Sequence, residues 1–120
     1  MNLKLIIRII FNISFIIIAF ASGSFAQTNK HYTFRSTNYG SFIHFETVPN
    51  ALFFFEAIKN DDSFEFRKAL RNHDINTIVL ASPGGLVFEG LQMAGIIYDR
   101  KITTYIPKSS NCLSACAFMF

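Results

Sequence analysis

An apolar run dominates the first 26 residues of the chain. Residues 9–21 are apolar except at two positions, a segment with two basic residues precedes them, and small residues follow up to Ala26. This three-part pattern is typical of a secretory signal peptide. The alternative is a retained membrane anchor, although the apolar stretch is at the short limit for spanning a bilayer. We predict a cleaved signal over residues 1–26 and an exported protein of the periplasm or cell envelope.

The next part of the chain changes from polar to alternating. Residues 27–40 are polar without a steady period, which predicts a linker or extended arm. Ser41–Val48 alternates between two faces and is rich in strand-forming residues, and Pro49 follows in a turn. Ala51–Ile58 has helical spacing as well as three consecutive phenylalanines, and turn signals close on both sides favour a strand. The two strands are predicted to form a hairpin.

Helices and strands alternate over the rest of the chain. A helix start is predicted at positions 61–63, with either Asp62 or Ser63 as the cap. Beyond it, the pattern predicts strands at Ile75–Ala81 and Ile102–Ile106, a helix at Leu86–Arg100 and a further helix from Leu113. Such alternation favours a parallel sheet with right-handed crossovers. The predicted fold class is α/β, with one domain over residues 41–120.

The composition indicates a folded domain and argues against several classes of ligand. The chain is 51% hydrophobic with fifteen phenylalanines, which is too apolar for a disordered segment. Its net charge of +3 includes Lys4 and Arg8 of the predicted signal, so no basic stripe remains for nucleic acid. Two cysteines are too few for a disulfide scaffold and lack a second ligand pair for zinc. We expect no metal, no organic cofactor and no membrane contact after signal cleavage.

Two short motifs could carry chemistry, and both follow predicted strands. The turn SPGG at 82–85 places paired glycines before a helix, where free N–H groups can stabilise an oxyanion, although most such turns only connect elements. In CLSAC at 112–116 the serine lies at a helix start, where capping is its commonest role. Parallel strands end at the same edge of a sheet, where α/β proteins gather functional residues. Together the two motifs predict a site that neither predicts alone.

The chain resembles the Clp protease proteolytic subunit and crotonase superfamily from about Ala51 onward, and best from Ile75. The resemblance is carried by IVLASPGGLVFEGLQMAG and SSNCLSACAFMF. It is closest to exported Clp-like proteins, in which a Cys-x-Ser-Ala-Cys motif follows a Ser-Pro-Gly-Gly turn. The resemblance implies a stacked β-β-α spiral and a serine peptidase acting on a peptide or protein, with Ser114 as the nucleophile.

The same resemblance implies roles for the neighbours of the serine. The N–H groups of Gly85 and Ala115 would form the oxyanion hole, and Pro83 and Gly84 would shape the turn. Clp subunits form rings, so a homo-oligomer is left open for this chain.

The rest of a serine hydrolase site is missing from the sequence. Such an enzyme needs a base and a group that orients it, and the family places both after the nucleophile. Here the chain ends six residues after Ser114, so we expect a fragment that is inactive by itself. The three histidines precede the motif and fit structural roles: His31 is solvated in the polar arm, His44 is half-exposed packing on a strand, and His73 is a cation at a helix end.

Other reactive or conspicuous residues have ordinary explanations. For the cysteines, core packing of Cys116 is the first expectation, a Cys112–Cys116 disulfide the second and a catalytic thiol the third. Glu89 is predicted to be solvated and Gly90 to allow close helix packing.

Two alternative functions accompany the hydrolase hypothesis. A non-catalytic envelope protein would keep the fold for binding or assembly, and this follows if no histidine reaches Ser114. A crotonase-type enzyme would use the same oxyanion geometry on an acyl-CoA, but CoA esters are cytoplasmic, which conflicts with export.

Overall fold

The computed structural model describes residues 33–120, which form one mixed sheet of five strands together with helices. The strands are β1 (Ser36–Tyr39), β2 (Phe42–Phe45), β3 (Ala51–Phe54), β4 (Thr77–Leu80) and β5 (Thr103–Tyr105). Two α-helices, α1 (Asp62–Asn72) and α2 (Val87–Arg100), and a 3-10 helix (Ser114–Met119) complete this part of the chain. None of these helices is long and apolar enough to cross a membrane. The predicted signal peptide and the first part of the predicted arm lie outside the described residues.

The order of strands in the sheet follows their order along the chain. β1, β2 and β3 are antiparallel neighbours, which includes the predicted hairpin, and β3, β4 and β5 are parallel neighbours. α1 and α2 connect the parallel strands, because parallel neighbours need a crossover. The predicted α/β class is therefore confirmed. The C-terminal ends of β4 and β5 consequently lie side by side at one edge of the sheet.

An aromatic cluster packs α1 onto the sheet. The ring centroid of Phe42 on β2 lies 4.6 Å from that of Phe54 on β3 and 4.8 Å from that of Phe66 on α1. All three side chains are fully buried, and so is Ala69, which shares the predicted apolar face of α1 with Phe66. Full burial of one such aromatic side chain contributes about 1.5–3 kcal/mol to stability. This burial, rather than intrinsic helix propensity, holds α1 in place.

The polar arm predicted over residues 27–40 includes a strand. Residues 36–39 form β1, which pairs with β2, and only Tyr39 of this strand has a buried side chain. β1 is at the edge of the sheet and is held by backbone hydrogen bonds to β2 alone. Because most of its side chains are exposed, they do not alternate between apolar and polar, and the sequence pattern does not predict this strand.

β3 is shorter than the strand predicted over Ala51–Ile58. The strand ends at Phe54, and Ile58 forms a separate parallel bridge with Gly85. Phe54 and Ile58 are both buried, whereas Phe55 between them is 45% exposed. The chain thus leaves the sheet after Phe54 and pairs again only at Ile58. The continuous apolar run over these residues gives no sign of this interruption.

The first turn of α1 is capped from another helix. The N-cap residue of α1 makes no side-chain hydrogen bond of its own. The carboxylate of Asp62, a predicted cap, instead accepts hydrogen bonds from the N–H groups of Ser41 at 2.9 Å and Lys59 at 2.7 Å. Ser63, the other predicted cap, donates its N–H to the Glu89 carboxylate on α2 at 2.8 Å. The solvated role predicted for Glu89 is therefore wrong, because its charge is used at the start of α1.

His44 and His73 form a stacked pair. Their ring centroids are 3.6 Å apart with 17° between the planes. His44 is only 3% exposed, and its Nε2 lies 2.9 Å from the carbonyl oxygen of Pro49. Burial lowers the pKa of His73 below its usual value, and the neighbouring His44 lowers it further. The predictions of a half-exposed His44 and a cationic His73 are therefore wrong.

Candidate functional site

The two sequence motifs meet at the C-terminal edge of the parallel strands. Residues 82–85 follow β4, residues 112–116 follow β5, and these strands are neighbours. The N–H of Leu113 donates a hydrogen bond to the carbonyl oxygen of Ser82 at 3.0 Å. The sheet topology therefore brings both motifs together, as their shared position after parallel strands predicts.

Gly84 lies directly against Ser114. Its φ is +94°, and a methyl group on its Cα would lie 2.7 Å from the Cβ of Ser114 and 2.6 Å from the carbonyl oxygen of Leu113. A side chain at either distance would force the two segments apart, so only glycine allows this approach. Pro83, beside it in the turn, is exposed.

Ser114 has an unusual backbone conformation for a residue with a side chain. Its φ of +52° lies in the left-handed region, which costs about 1–2 kcal/mol for a non-glycine residue. Ser114 is exposed, and the N-cap residue of the 3-10 helix is Leu113 rather than Ser114, with no side-chain cap hydrogen bond. Capping, the commonest role of a serine at a helix start, is thus not its role here. Hydrolases also present a nucleophilic serine on a strained turn, directly after a strand; here residues 106–113 lie between β5 and Ser114.

Two backbone N–H groups next to this serine are unpaired within the described part of the chain. The N–H of Ile58 donates to the Gly84 carbonyl oxygen at 2.9 Å, and the N–H of Leu86 donates to the Ile58 carbonyl oxygen at 3.1 Å. This pairing skips the N–H of Gly85, and the N–H of Ala115 also has no acceptor among residues 33–120. The Ala115 nitrogen lies 3.1 Å from the position of a methyl group on Gly84. Both amides therefore lack an acceptor, but Gly85 is exposed whereas Ala115 is almost fully buried.

Ser82 connects the segments that build the site, a role that we do not predict for it from the sequence. It is fully buried, and its hydroxyl donates to the Glu56 carbonyl oxygen at 2.6 Å and accepts from the Gly84 N–H at 3.1 Å. Its own carbonyl oxygen accepts from Leu113. A serine between a buried strand and a Pro-Gly-Gly turn is the sequence signal that would have indicated such a role.

Gly90 brings α2 against the 3-10 helix. A methyl group on Gly90 would lie 2.9 Å from the carbonyl oxygen of Ala115 and 3.2 Å from its Cβ. The close packing predicted for Gly90 is confirmed. Because Ala115 is held here, its N–H has a fixed position relative to the start of α2.

A disulfide joins Cys112 to Cys116, on either side of Ser114, with the two Cα atoms 5.2 Å apart. Cys116 is fully buried in the core, and Cys112 packs against the core with partial exposure. The structure therefore combines the first two expectations for these residues, core packing and a disulfide. Neither cysteine has a free thiol in this state.

The described histidines lie away from the serine. His44 pairs in register with Leu52 and contacts Pro49, near the start of β3, and His73 precedes β4. Ser114 lies beyond the opposite ends of the parallel strands, so neither imidazole reaches its hydroxyl. His31 lies outside the described residues. Among residues 33–120, no group of three or more His, Cys, Asp or Glu side chains is placed to hold a metal ion.

Comparisons with protein-family models, with curated proteins and with solved structures give no match to this chain. The geometry of the turn around Ser114 is therefore the basis on which a function can be assigned.

Proposed function

We propose that this chain carries the nucleophile and the oxyanion-binding amides of a serine peptidase-like hydrolase of the cell envelope. The observation that carries the proposal is the contact of Gly84 with Ser114, which sets an exposed serine with a strained backbone beside two unpaired N–H groups. Acyl transfer needs both a nucleophilic oxygen and donors directed at the developing negative charge. The resemblance to Clp and crotonase proteins supports the same roles for Ser114, Gly85 and Ala115.

The proposed reaction begins at the Ser114 hydroxyl. Its oxygen attacks the carbonyl carbon of a peptide bond and its proton passes to a base, while the carbonyl oxygen becomes an oxyanion that accepts from the N–H groups of Gly85 and Ala115. The intermediate then expels the amine, which takes the proton from the base, and water hydrolyses the acyl-enzyme. Loss of one oxyanion donor typically lowers kcat about 10²- to 10³-fold.

Within residues 33–120, no histidine lies next to Ser114 to act as the general base. Without a base the serine hydroxyl is a weak nucleophile at neutral pH. The proposal therefore requires a histidine and an acidic partner from another segment, and the resemblance implies a segment that follows the nucleophile.

Labelling with a fluorophosphonate probe tests this function on the protein purified from its own host. We expect labelling of the wild type and no labelling of Ser114→Ala, because the probe forms a covalent bond with an activated serine. Ser110→Ala is the matched control, since it removes a hydroxyl from the loop that leads to the same turn, and it should label like the wild type. Unchanged labelling of Ser114→Ala would refute the assignment of the nucleophile.

A binding function is the second candidate, and exposed apolar side chains next to the site favour it. Leu86, Val87, Phe88 and Leu91 are between 43% and 72% exposed at the start of α2. Exposed apolar groups of this kind mark contact surfaces for other molecules. If the intact mass of the protein from its own host shows no residues after Phe120, no further histidine is present. That result, together with absent labelling, would favour binding over catalysis.

A further inference from the structure

We propose that the Cys112–Cys116 disulfide is a redox gate on Ser114: the oxidised form holds the serine turn in its reactive geometry, and reduction releases it. This inference rests on the proposed function, because the gate acts on the same serine. The form that contains the disulfide is also the form in which the serine is exposed and the Gly85 and Ala115 amides are unpaired.

The disulfide closes a short ring of the chain with Ser114 in its middle. Within the ring, the N–H of Cys116 donates to the carbonyl oxygen of Leu113 at 3.0 Å, and Ser114 between them has a φ of +52°. A non-glycine residue keeps such a conformation only where its surroundings impose it. The other constraints on the turn are single hydrogen bonds, the contact with Gly84 and the packing of Ala115 against Gly90, so the disulfide is the covalent one among them.

Reduction would loosen one side of the turn more than the other. Cys116 is fully buried in the core cluster together with Ala115 and Met119, whereas Cys112 is only partly buried. A reduced Cys116 would remain in place as a small apolar residue. Cys112 and Leu113 would lose their disulfide connection to the core, and Ser114 would be held from its N-terminal side only by the Leu113–Ser82 hydrogen bond and the contact with Gly84.

A dithiol reductant supplies the chemistry of the gate. Its first thiolate attacks the sulfur of the partly exposed Cys112, and Cys116 leaves as a thiolate. The second thiol of the reductant then attacks the mixed disulfide, which releases Cys112 and leaves the reductant as a disulfide. The protein gains two electrons and two protons in total, and oxidation reverses the process. Oxidising compartments outside the cytoplasm would keep the gate in the competent state.

The test combines hydrogen exchange with fluorophosphonate labelling on the protein purified from its own host, with and without dithiothreitol. We expect reduction to raise amide exchange in residues 113–116 at least tenfold, to leave exchange in β3 and β4 unchanged, and to slow labelling of Ser114 at least tenfold. Reoxidation should restore both. A variant with Cys112→Ser and Cys116→Ala, which keeps a small apolar residue in the core, should behave like the reduced protein whether or not the reductant is present.

The possible outcomes separate the gate from the function on which it rests. Labelling that is the same in both redox states would overturn the gate and leave the nucleophile assignment intact. Absent labelling in both states would overturn the proposed function and the gate on it, and exchange would then show only whether the disulfide holds the turn. A general rise in exchange that includes β3 and β4 would also overturn the gate, because the disulfide would then stabilise the whole domain.

Discussion

Single residues without a side chain decide how closely the two halves of the site approach. Gly84→Ala would place a methyl group 2.7 Å from the Cβ of Ser114, at a φ of +94° that alanine rarely adopts. We expect the free energy of unfolding to fall by about 1–3 kcal/mol in urea denaturation, the usual cost of overpacking. We also expect fluorophosphonate labelling of Ser114 to be lost, because the two segments must separate to admit the methyl group.

Gly95 provides the matched control for this substitution. It lies on α2, and a methyl group there would meet no atom within 4 Å. Gly95→Ala should leave labelling unchanged and stabilise the protein by about 0.5–1 kcal/mol, because glycine is unfavourable inside a helix. Equal losses in both variants would show that the close approach of Gly84 to Ser114 is unimportant.

Among the helices and strands, the join between α1 and α2 depends on one carboxylate. Burial by itself would raise the pKa of Glu89, but the hydrogen bond from the Ser63 N–H, with the nearby Ser63 hydroxyl, Asp61 backbone and Arg67 charge, outweighs burial and lowers it below 4.5. Because the pKa is lower in the folded state, the ionised group stabilises the fold above pH 4.5. This contribution is lost as the pH falls through the folded pKa.

Glu89→Gln tests this connection. We expect the free energy of unfolding at pH 7 to fall by about 1 kcal/mol, the usual effect of removing a helix cap. The remaining stability should also depend less on pH below pH 4.5 than that of the wild type. Glu46→Gln is the control, because Glu46 is an exposed carboxylate outside both helices. Identical urea denaturation curves for the two variants would contradict the capping role of Glu89.

The sequence predicts best those helices and strands whose buried side chains form a regular apolar pattern. β4 lies within a β-branched run, and α2 has its apolar residues at helical spacing, so both were found close to their observed ends. β1 and the Glu89–Ser63 hydrogen bond were missed, because an edge strand depends on backbone pairing and the hydrogen bond joins residues 26 positions apart. Local periodicity contains no information on either.

The candidate site shows the same division. Its location at the ends of β4 and β5 follows from the order of elements, because parallel neighbours end at one edge. The left-handed backbone of Ser114 and the hydrogen bonds of Ser82 do not follow, since they arise only when both turns meet. The choice between core packing and a disulfide for Cys112 and Cys116 likewise depends on a Cα separation that no sequence spacing fixes.

For the domain as a whole, the stacked histidines connect the sheet to the end of α1. His73 Nε2 lies 2.9 Å from the hydroxyl of Tyr39 on β1, and the Asn72 side chain donates to the same hydroxyl at 3.2 Å. Lys68 on α1 lies 6.0 Å from the centre of the Tyr39 ring. A proton added to His73 therefore enters a partly buried cluster that already has a cation beside it.

The stability of the domain should consequently decrease in mildly acidic solution. Burial, and then His44, hold the pKa of His73 below the 6.5 of the unfolded chain, so unfolding takes up a proton below that pH. The contribution of a neutral His73 is thus complete above pH 6.5 and decreases as the pH falls through the folded pKa. His73→Gln keeps a polar partner near Tyr39 but does not titrate, so its urea midpoint should change less between pH 7 and 5 than that of the wild type.

Asp74→Asn is the control for this pH dependence, because it changes an exposed neighbour in the sequence and leaves the histidine pair intact. Its midpoints should follow those of the wild type from pH 7 to 5. Parallel curves for the wild type and His73→Gln would mean that protonation of His73 does not oppose folding. Protonation of Glu89 changes the stability only below pH 4.5, so the two effects occupy separate pH ranges, and a decrease that begins near pH 6.5 belongs to His73.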